Sequence, residues 1–190
     1  LTFLLAMTVL LGVAYPALVT GIAQLAFPRQ ANGSLIVISG KTRGSTLLAQ
    51  KFEGPGFFHA RPSATDYAYV GSGASNLGPT SASLAKDAAE RRAEWKAAYG
   101  TPAPEDMVYA SASGLDPDIS LEAALAQAGG VARARGLGAG ARLALAQAIR
   151  DRADASKGLI GPARVNAVAL NVLLETDPRF SPLGSKPQGK

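Results

Sequence analysis

The sequence predicts an α+β protein: one N-terminal transmembrane helix followed by a single mixed soluble domain. Three observations carry this. Residues 1–28 contain no charged side chain, and the first charge is Arg29. A short β-branched run, Leu35 to Ile38, sits between turn signals. Beyond residue 80, stretches of helical periodicity alternate with Gly and Pro punctuation. The expected organisation is an anchor over 1–28, a soluble domain over 29–180, and a flexible tail over 181–190.

The anchor comes first. A bilayer core of about 30 Å takes roughly 20 helical residues to cross, and Leu1 to Phe27 exceeds that. A cleaved secretory signal has an apolar core of about 7–15 residues. The run here is longer, although Gly21-Ile22-Ala23 loosely resembles a cleavage site. A buried core helix is the other alternative, and such helices are seldom this free of charge. Pro16 lacks an N–H and frees the carbonyl of Gly12. Thr8, Thr20 and the small residues offer a flat face for helix packing, beside the plainer reading of a helix that touches only lipid. The chain opens on Leu1 without an initiator Met, so the native N-terminus is expected upstream. The short flank that sets orientation is therefore missing. The absence of cysteine is compatible with an oxidising exterior but does not establish one.

In the soluble part, Asn32-Gly33-Ser34 is a turn. Leu35 to Ile38 is expected to pair with Ser45 to Ala49 across a loop of Ser39 to Gly44. Residues 54–79 are rich in Gly, Pro, Ser and aromatics without a period, and a loop of that length is usually functional or disordered. Ser81 to Tyr99 is the clearest helix, with Leu84, Ala88, Trp95 and Tyr99 on one stripe and Asp87 spaced to pair with Arg91. Ser120 caps a second helix through Ala128, which Gly129-Gly130 then breaks or kinks. Ala141 to Ala155 is a third, with a partial stripe of Leu143, Leu145, Ala146 and Ile149. Pro162 is placed to open another. Val165 to Leu174 fits helix or strand.

The net charge of +5 is spread without a dense block, and no aromatic platform interleaves with basic residues, which disfavours nucleic acid. Gly40-Lys41-Thr42 resembles the end of a phosphate loop. That motif needs Gly at position 35, which is Leu35. His59 is the single histidine and there is no cysteine, so a transition-metal centre lacks grouped ligands. No G-x-S-x-G elbow is present. Asp116 and Asp118 form either a carboxylate pair or part of a tight turn leading to the Ser120 cap, and the turn is the better reading. Three classes remain: an accessory subunit of a membrane complex, an extracellular binding module, or an enzyme whose site is not recognisable.

Several ordered segments resemble one family. They are Gly12-Val13-Ala14-Tyr15-Pro16, Ala31-Asn32-Gly33-Ser34-Leu35, Gly44-Ser45 with Gln50, and Phe58-His59-Ala60-Arg61-Pro62-Ser63-Ala64. Ala74-Ser75-Asn76-Leu77-Gly78-Pro79 and Ser111-Ala112-Ser113-Gly114-Leu115-Asp116-Pro117 follow. Last come Val131-Ala132-Arg133-Ala134-Arg135-Gly136 and Val165-Asn166 with Leu170-Asn171. In order and spacing they resemble the C subunit of the bacterial Kdp potassium-transporting P-type ATPase, over nearly the whole chain.

The resemblance implies a non-catalytic accessory subunit of an ATP-driven potassium import complex. It would cross the bacterial inner membrane once, with its domain on the extracytoplasmic side. It would aid assembly and raise the ATP affinity of the hydrolysing subunit. The implied partners are a channel-like potassium-binding subunit, the P-type subunit, a small single-span subunit and the lipid bilayer. ATP and potassium would be used by the complex, with no cofactor assigned to this chain alone. Tyr15, Pro16, Arg61, Ser75, Asn76, Asp116, Asn166 and Asn171 become candidates for partner docking. Gln127 is the candidate for nucleotide contact, although Ala128-Gly129-Gly130 replaces the Arg-containing pattern that the family usually carries after that Gln. The alternative is a single-span binding or assembly protein unrelated to ion transport.

Overall fold

The structure, a computed structural model, describes residues 1–153 and 161–181. The last two residues of the helix expected to reach Ala155, and the tail from 182 onward, lie outside the described residues. The chain divides into two compact units, residues 1–47 and the remainder from residue 48.

The first unit begins with 25 continuous helical residues, Thr2–Ala26, none of them buried. An apolar helix of this length is the expected spanning structure, because its backbone hydrogen bonds are satisfied within the segment. It consists of α1 (Thr2–Val9), a π-helical stretch over Leu10–Ala14 and α2 (Tyr15–Ala26). The π stretch lies directly before Pro16. The Tyr15 N–H reaches the Leu10 carbonyl, a wider step than the α-helical one. Such insertions are a known way for a helix to absorb a local defect. Thr8 Oγ1 donates back to the Leu4 carbonyl at 2.8 Å, hiding its hydroxyl from lipid.

Pro28 opens a single turn, α3 (Pro28–Ala31). A hairpin of β1 (Leu35–Ile38) and β2 (Lys41–Ser45) follows. The hairpin was expected, but its return strand was placed too late. The loop is only Ser39-Gly40, both with positive φ (51° and 75°), as a two-residue primed turn requires. The residues assigned to a loop therefore pair: Ile38 with Lys41, Val37 with Thr42, and Ile36 with Gly44, with an irregularity between Ile36 and Val37.

In the second unit the order is α4 (Ala82–Tyr99), α5 (Glu105–Val108), β3 (Asp118–Ser120), α6 (Leu121–Ala134), α7 (Ala139–Arg152), β4 (Arg164–Asn166) and α8 (Ala167–Thr176). Helices α4, α6 and α8 start at side-chain caps. Ser81 Oγ accepts from the Leu84 N–H, Ser120 Oγ from the Ala123 N–H, and Asn166 Oδ1 from the Ala169 N–H. Gly100, at φ 74°, ends α4 in the left-handed conformation that glycine tolerates. β3 and β4 pair antiparallel, Ile119 opposite Val165, so the caps of α6 and α8 lie at the two ends of one small ladder. Fully buried Ile119, Leu145, Ile149, Leu170 and Leu174 anchor the core.

Four further expectations are corrected. Helix α6 runs unbroken through Gly129-Gly130, and Gly130 packs closely: a Cβ there would lie 3.2 Å from the Tyr99 ring. Arg91 donates to the Val108 carbonyl at 2.9 Å rather than pairing with Asp87, and the i,i+4 ion pair on α4 is Lys86–Glu90. The buried stripe of α7 is Leu145, Ala148 and Ile149, while Leu143 is exposed. Pro162 does not open a helix; the ambiguous stretch 165–174 divides into the end of β4 and then α8.

Candidate functional site

The long segment 54–79 is held near its start by side chains that satisfy its backbone. At its start, Phe58 is fully buried. Asn171, on α8, receives the Phe58 N–H on Oδ1 at 2.8 Å and donates Nδ2 to the Phe58 carbonyl at 2.9 Å. One residue on, Gln127 of α6 does the same for His59, accepting its N–H at 2.7 Å and donating to its carbonyl at 3.1 Å. Two buried amides thus stand in for the neighbouring strand that this stretch lacks. Buried backbone groups must find partners, which is why polar side chains are retained in an otherwise apolar core.

Arg135, at the C-terminal end of α6, completes the clamp. Its Nε donates to the Gly56 carbonyl at 2.6 Å and its Nη1 to the Leu174 carbonyl at 3.1 Å. The guanidinium lies over the Phe57 ring, 5.0 Å from its centroid. Burial pulls the Arg135 pKa down, yet an arginine keeps its charge at such a site. Burial also lowers His59, opposed by hydrogen bonds with the Gly54 and Phe52 backbone. The imidazole is therefore a neutral structural group near pH 7.

The far part of the segment is laced to residues 109–116. Arg61 Nη1 donates to Asp116 Oδ2 at 3.0 Å in a mostly buried ion pair. Asp116 Oδ1 accepts from the Asp118 N–H, the local turn expected from the sequence. Asp118 bonds instead to Asn166 Nδ2 at 3.0 Å, and burial raises its pKa. The Tyr67 hydroxyl donates to the Arg61 carbonyl, the Ser111 N–H to the Pro62 carbonyl, and the Gly73 N–H to the Ser113 carbonyl. Gly114 sits at the crossing with φ 69°, and a Cβ there would lie 2.6 Å from Thr65 Oγ1. Only glycine fits.

What this lacing presents outward is Tyr69, Val70 and Leu77 beside Ser75 and Asn76, all exposed. Asn76 has φ 54°, a left-handed position that asparagine tolerates better than most residues. The candidate residues therefore separate into groups. Ser75 and Asn76 lie on the exposed face. Arg61 and Asp116 hold each other behind it. Asn166 caps α8, and Asn171 and Gln127 are buried clamps. Tyr15 and Pro16 belong to the other unit, where Tyr15 is exposed on the apolar helix.

In the sequence, Arg135 stands only within the family-like segment Val131 to Gly136, with no role of its own. Its signal was present: 127, 131 and 135 fall four apart on one face of α6, so Gln127, buried Val131 and Arg135 all point to the same side.

The sequence matches the family described as "K+-transporting ATPase, c chain" over residues 1–176. The chain belongs to that family. The match to the K+-transporting ATPase C chains runs through both compact units. Among curated members, a "Potassium-transporting ATPase KdpC subunit" of Cereibacter sphaeroides is 50% identical over 175 residues, covering 92% of this chain and 94% of its own length. The protein of the same description from Pseudomonas aeruginosa is 50% identical over 175 residues, covering 92% and 93%. That of Geobacter sulfurreducens is 49% identical over 178 residues, covering 91% and 93%.

Proposed function

We infer that the chain serves as a non-catalytic accessory subunit of an ATP-driven potassium import complex in a bacterial inner membrane. Its apolar helix would anchor it there, and its domain would lie on the extracytoplasmic side. It would aid assembly and raise the ATP affinity of the P-type catalytic subunit.

The observation that carries the docking part of this reading is the double amide clamp on Phe58 and His59. Together with Arg135 it holds a long irregular segment in one shape while that segment presents apolar and polar side chains outward. Preorganisation of this kind lowers the ordering cost of binding. The partner would be the channel-like subunit. The P-type subunit and the small single-span subunit would complete the complex. Tyr15 and Pro16 would pack against a neighbouring transmembrane helix, where small residues allow close approach.

The effect on ATP affinity would be indirect. Gln127 is fully buried and its amide holds the His59 backbone, so it supports the docking segment. Coupling would run through the helix and the partner subunits. Nucleotide binding by the full chain alone, abolished by Gln127→Ala in a variant whose melting temperature is unchanged, would overturn this.

Co-purification from membranes tests the docking surface. Asn76→Gly keeps the backbone conformation and removes the amide, and Arg61→Ala releases Asp116. Both variants should loosen the complex and reduce potassium-stimulated ATPase activity. Full assembly and transport with both changes would refute the assignment.

A further inference from the structure

The membrane-proximal unit combines an exposed apolar strand with charge of one sign. Within residues 1–47 the charged side chains are Arg29, Lys41 and Arg43, and the first acidic residue of the chain is Glu53. Strand β1 is Leu-Ile-Val-Ile, with Leu35 and Val37 on one face at 51% and 60% exposed; Leu47 is 58% exposed. Lys41 and Arg43 lie on β2 and are exposed. A two-stranded hairpin is marginal by itself in water. Four consecutive apolar residues on such a strand also form a template for unwanted pairing.

The hairpin is fastened to the end of the apolar helix. Asn32 Nδ2 donates to Gln24 Oε1 at 3.0 Å and to the Pro28 carbonyl at 2.7 Å. The Ser34 N–H reaches the Arg29 carbonyl at 2.9 Å, and Ser45 Oγ donates to the Gly33 carbonyl at 2.7 Å. The headgroup region adds roughly 5–8 Å beyond each side of the hydrocarbon core. A hairpin tied this closely to the last helical turn starts within or beside that region.

We propose that the β1–β2 hairpin is a membrane-interface element: Leu35, Val37 and Leu47 contact the acyl boundary, and Arg29 and Lys41 engage anionic phospholipid headgroups. Exposed apolar side chains beside cations, with no acidic residue in the same unit, are the combination that binds such a surface. Lysine and arginine also reach headgroups while their stems stay against apolar material. The proposal rests on the helix crossing a bilayer and is independent of what the 54–79 segment docks against.

The absence of cysteine makes the test direct. The full chain is placed in nanodiscs of phosphatidylcholine alone, or of phosphatidylcholine with phosphatidylglycerol. A nitroxide is attached at Val37→Cys or, as a second site, Leu35→Cys. Its collisions with oxygen and with a water-soluble nickel chelate are compared with Val13→Cys in the helix and Val70→Cys on the other unit. In phosphatidylglycerol discs the hairpin labels should resemble Val13→Cys rather than Val70→Cys. Adding R29Q and K41Q should shift that balance toward water by about fivefold per charge removed. Labels as aqueous as Val70→Cys in both lipids would overturn the proposal. So would protection that ignores phosphatidylglycerol and the charge changes, or protection that appears only in the assembled complex, which would assign the hairpin to a protein partner.

Discussion

Asn171 closes both hydrogen bonds of the Phe58 backbone, accepting its N–H at 2.8 Å and donating to its carbonyl at 2.9 Å, across 113 residues of sequence. Phe58 and Asn171 are both buried, so neither group is open to bulk solvent. The start of the 54–79 segment therefore depends on one amide of α8 and, through His59, on one amide of α6.

Replacing Asn171 with Leu keeps the volume and removes both partners. Each buried backbone group left unpaired costs about 1–3 kcal/mol. Asn171→Leu should lower the denaturation midpoint markedly, and Gln127→Leu should do likewise. The double variant should lose less than the sum, because both act on adjacent residues of one irregular segment. Additive losses in a urea titration would show that the two clamps are independent.

Arg135→Lys preserves charge but not the fork that reaches Gly56 and Leu174 together, nor the stacking on Phe57. A loss of about 2 kcal/mol is expected, typical of hydrogen bonds to a charged group. It should be concentrated locally. Hydrogen exchange should quicken at residues 54–60 and stay slow in α4. Uniform quickening would instead mean global destabilisation.

The two glycines of α6 should respond differently to alanine. Gly129 is exposed, and its nearest contact is Arg133 Nη1 at 3.7 Å, so Gly129→Ala should stabilise by about 0.5–1 kcal/mol through helix propensity. Gly130→Ala gains the same propensity but must displace the Tyr99 ring, which is stacked beside Trp95 at 4.3 Å. Its melting temperature should fall below that of Gly129→Ala. Equal gains would show that Tyr99 yields freely.

Acid should weaken the domain through His59. Its folded pKa lies below the ordinary 6.5 because burial disfavours the imidazolium. The unfolded chain therefore takes up a proton before the folded one does. The contribution is complete above pH 6.5 and is lost as pH falls from there through the folded value. Melting temperatures of the full chain should decline across that window, and His59→Gln should flatten the decline. An unchanged decline in that variant would place the sensitivity elsewhere.

The membrane span, the hairpin, the Ser81 and Ser120 caps and the helical character of 82–99 were legible from residue types alone. Each depends on neighbours in sequence: lack of charge over a bilayer thickness, turn chemistry, or a hydroxyl three residues ahead of an N–H. Family membership was legible too, because short motifs in fixed order need no coordinates. The tertiary structure decided what those local signals could not encode. It carried α6 through Gly129-Gly130, where Gly130 packs close to the Tyr99 ring. It turned Asn171 and Gln127 from surface candidates into buried clamps, because the backbone of Phe58 and His59 arrives from a distant part of the chain and must be satisfied there. It separated Ser75 and Asn76, which face outward, from Arg61 and Asp116, which serve each other. Sequence spacing reports contacts along one element, whereas burial and long-range hydrogen bonding arise only when elements pack together.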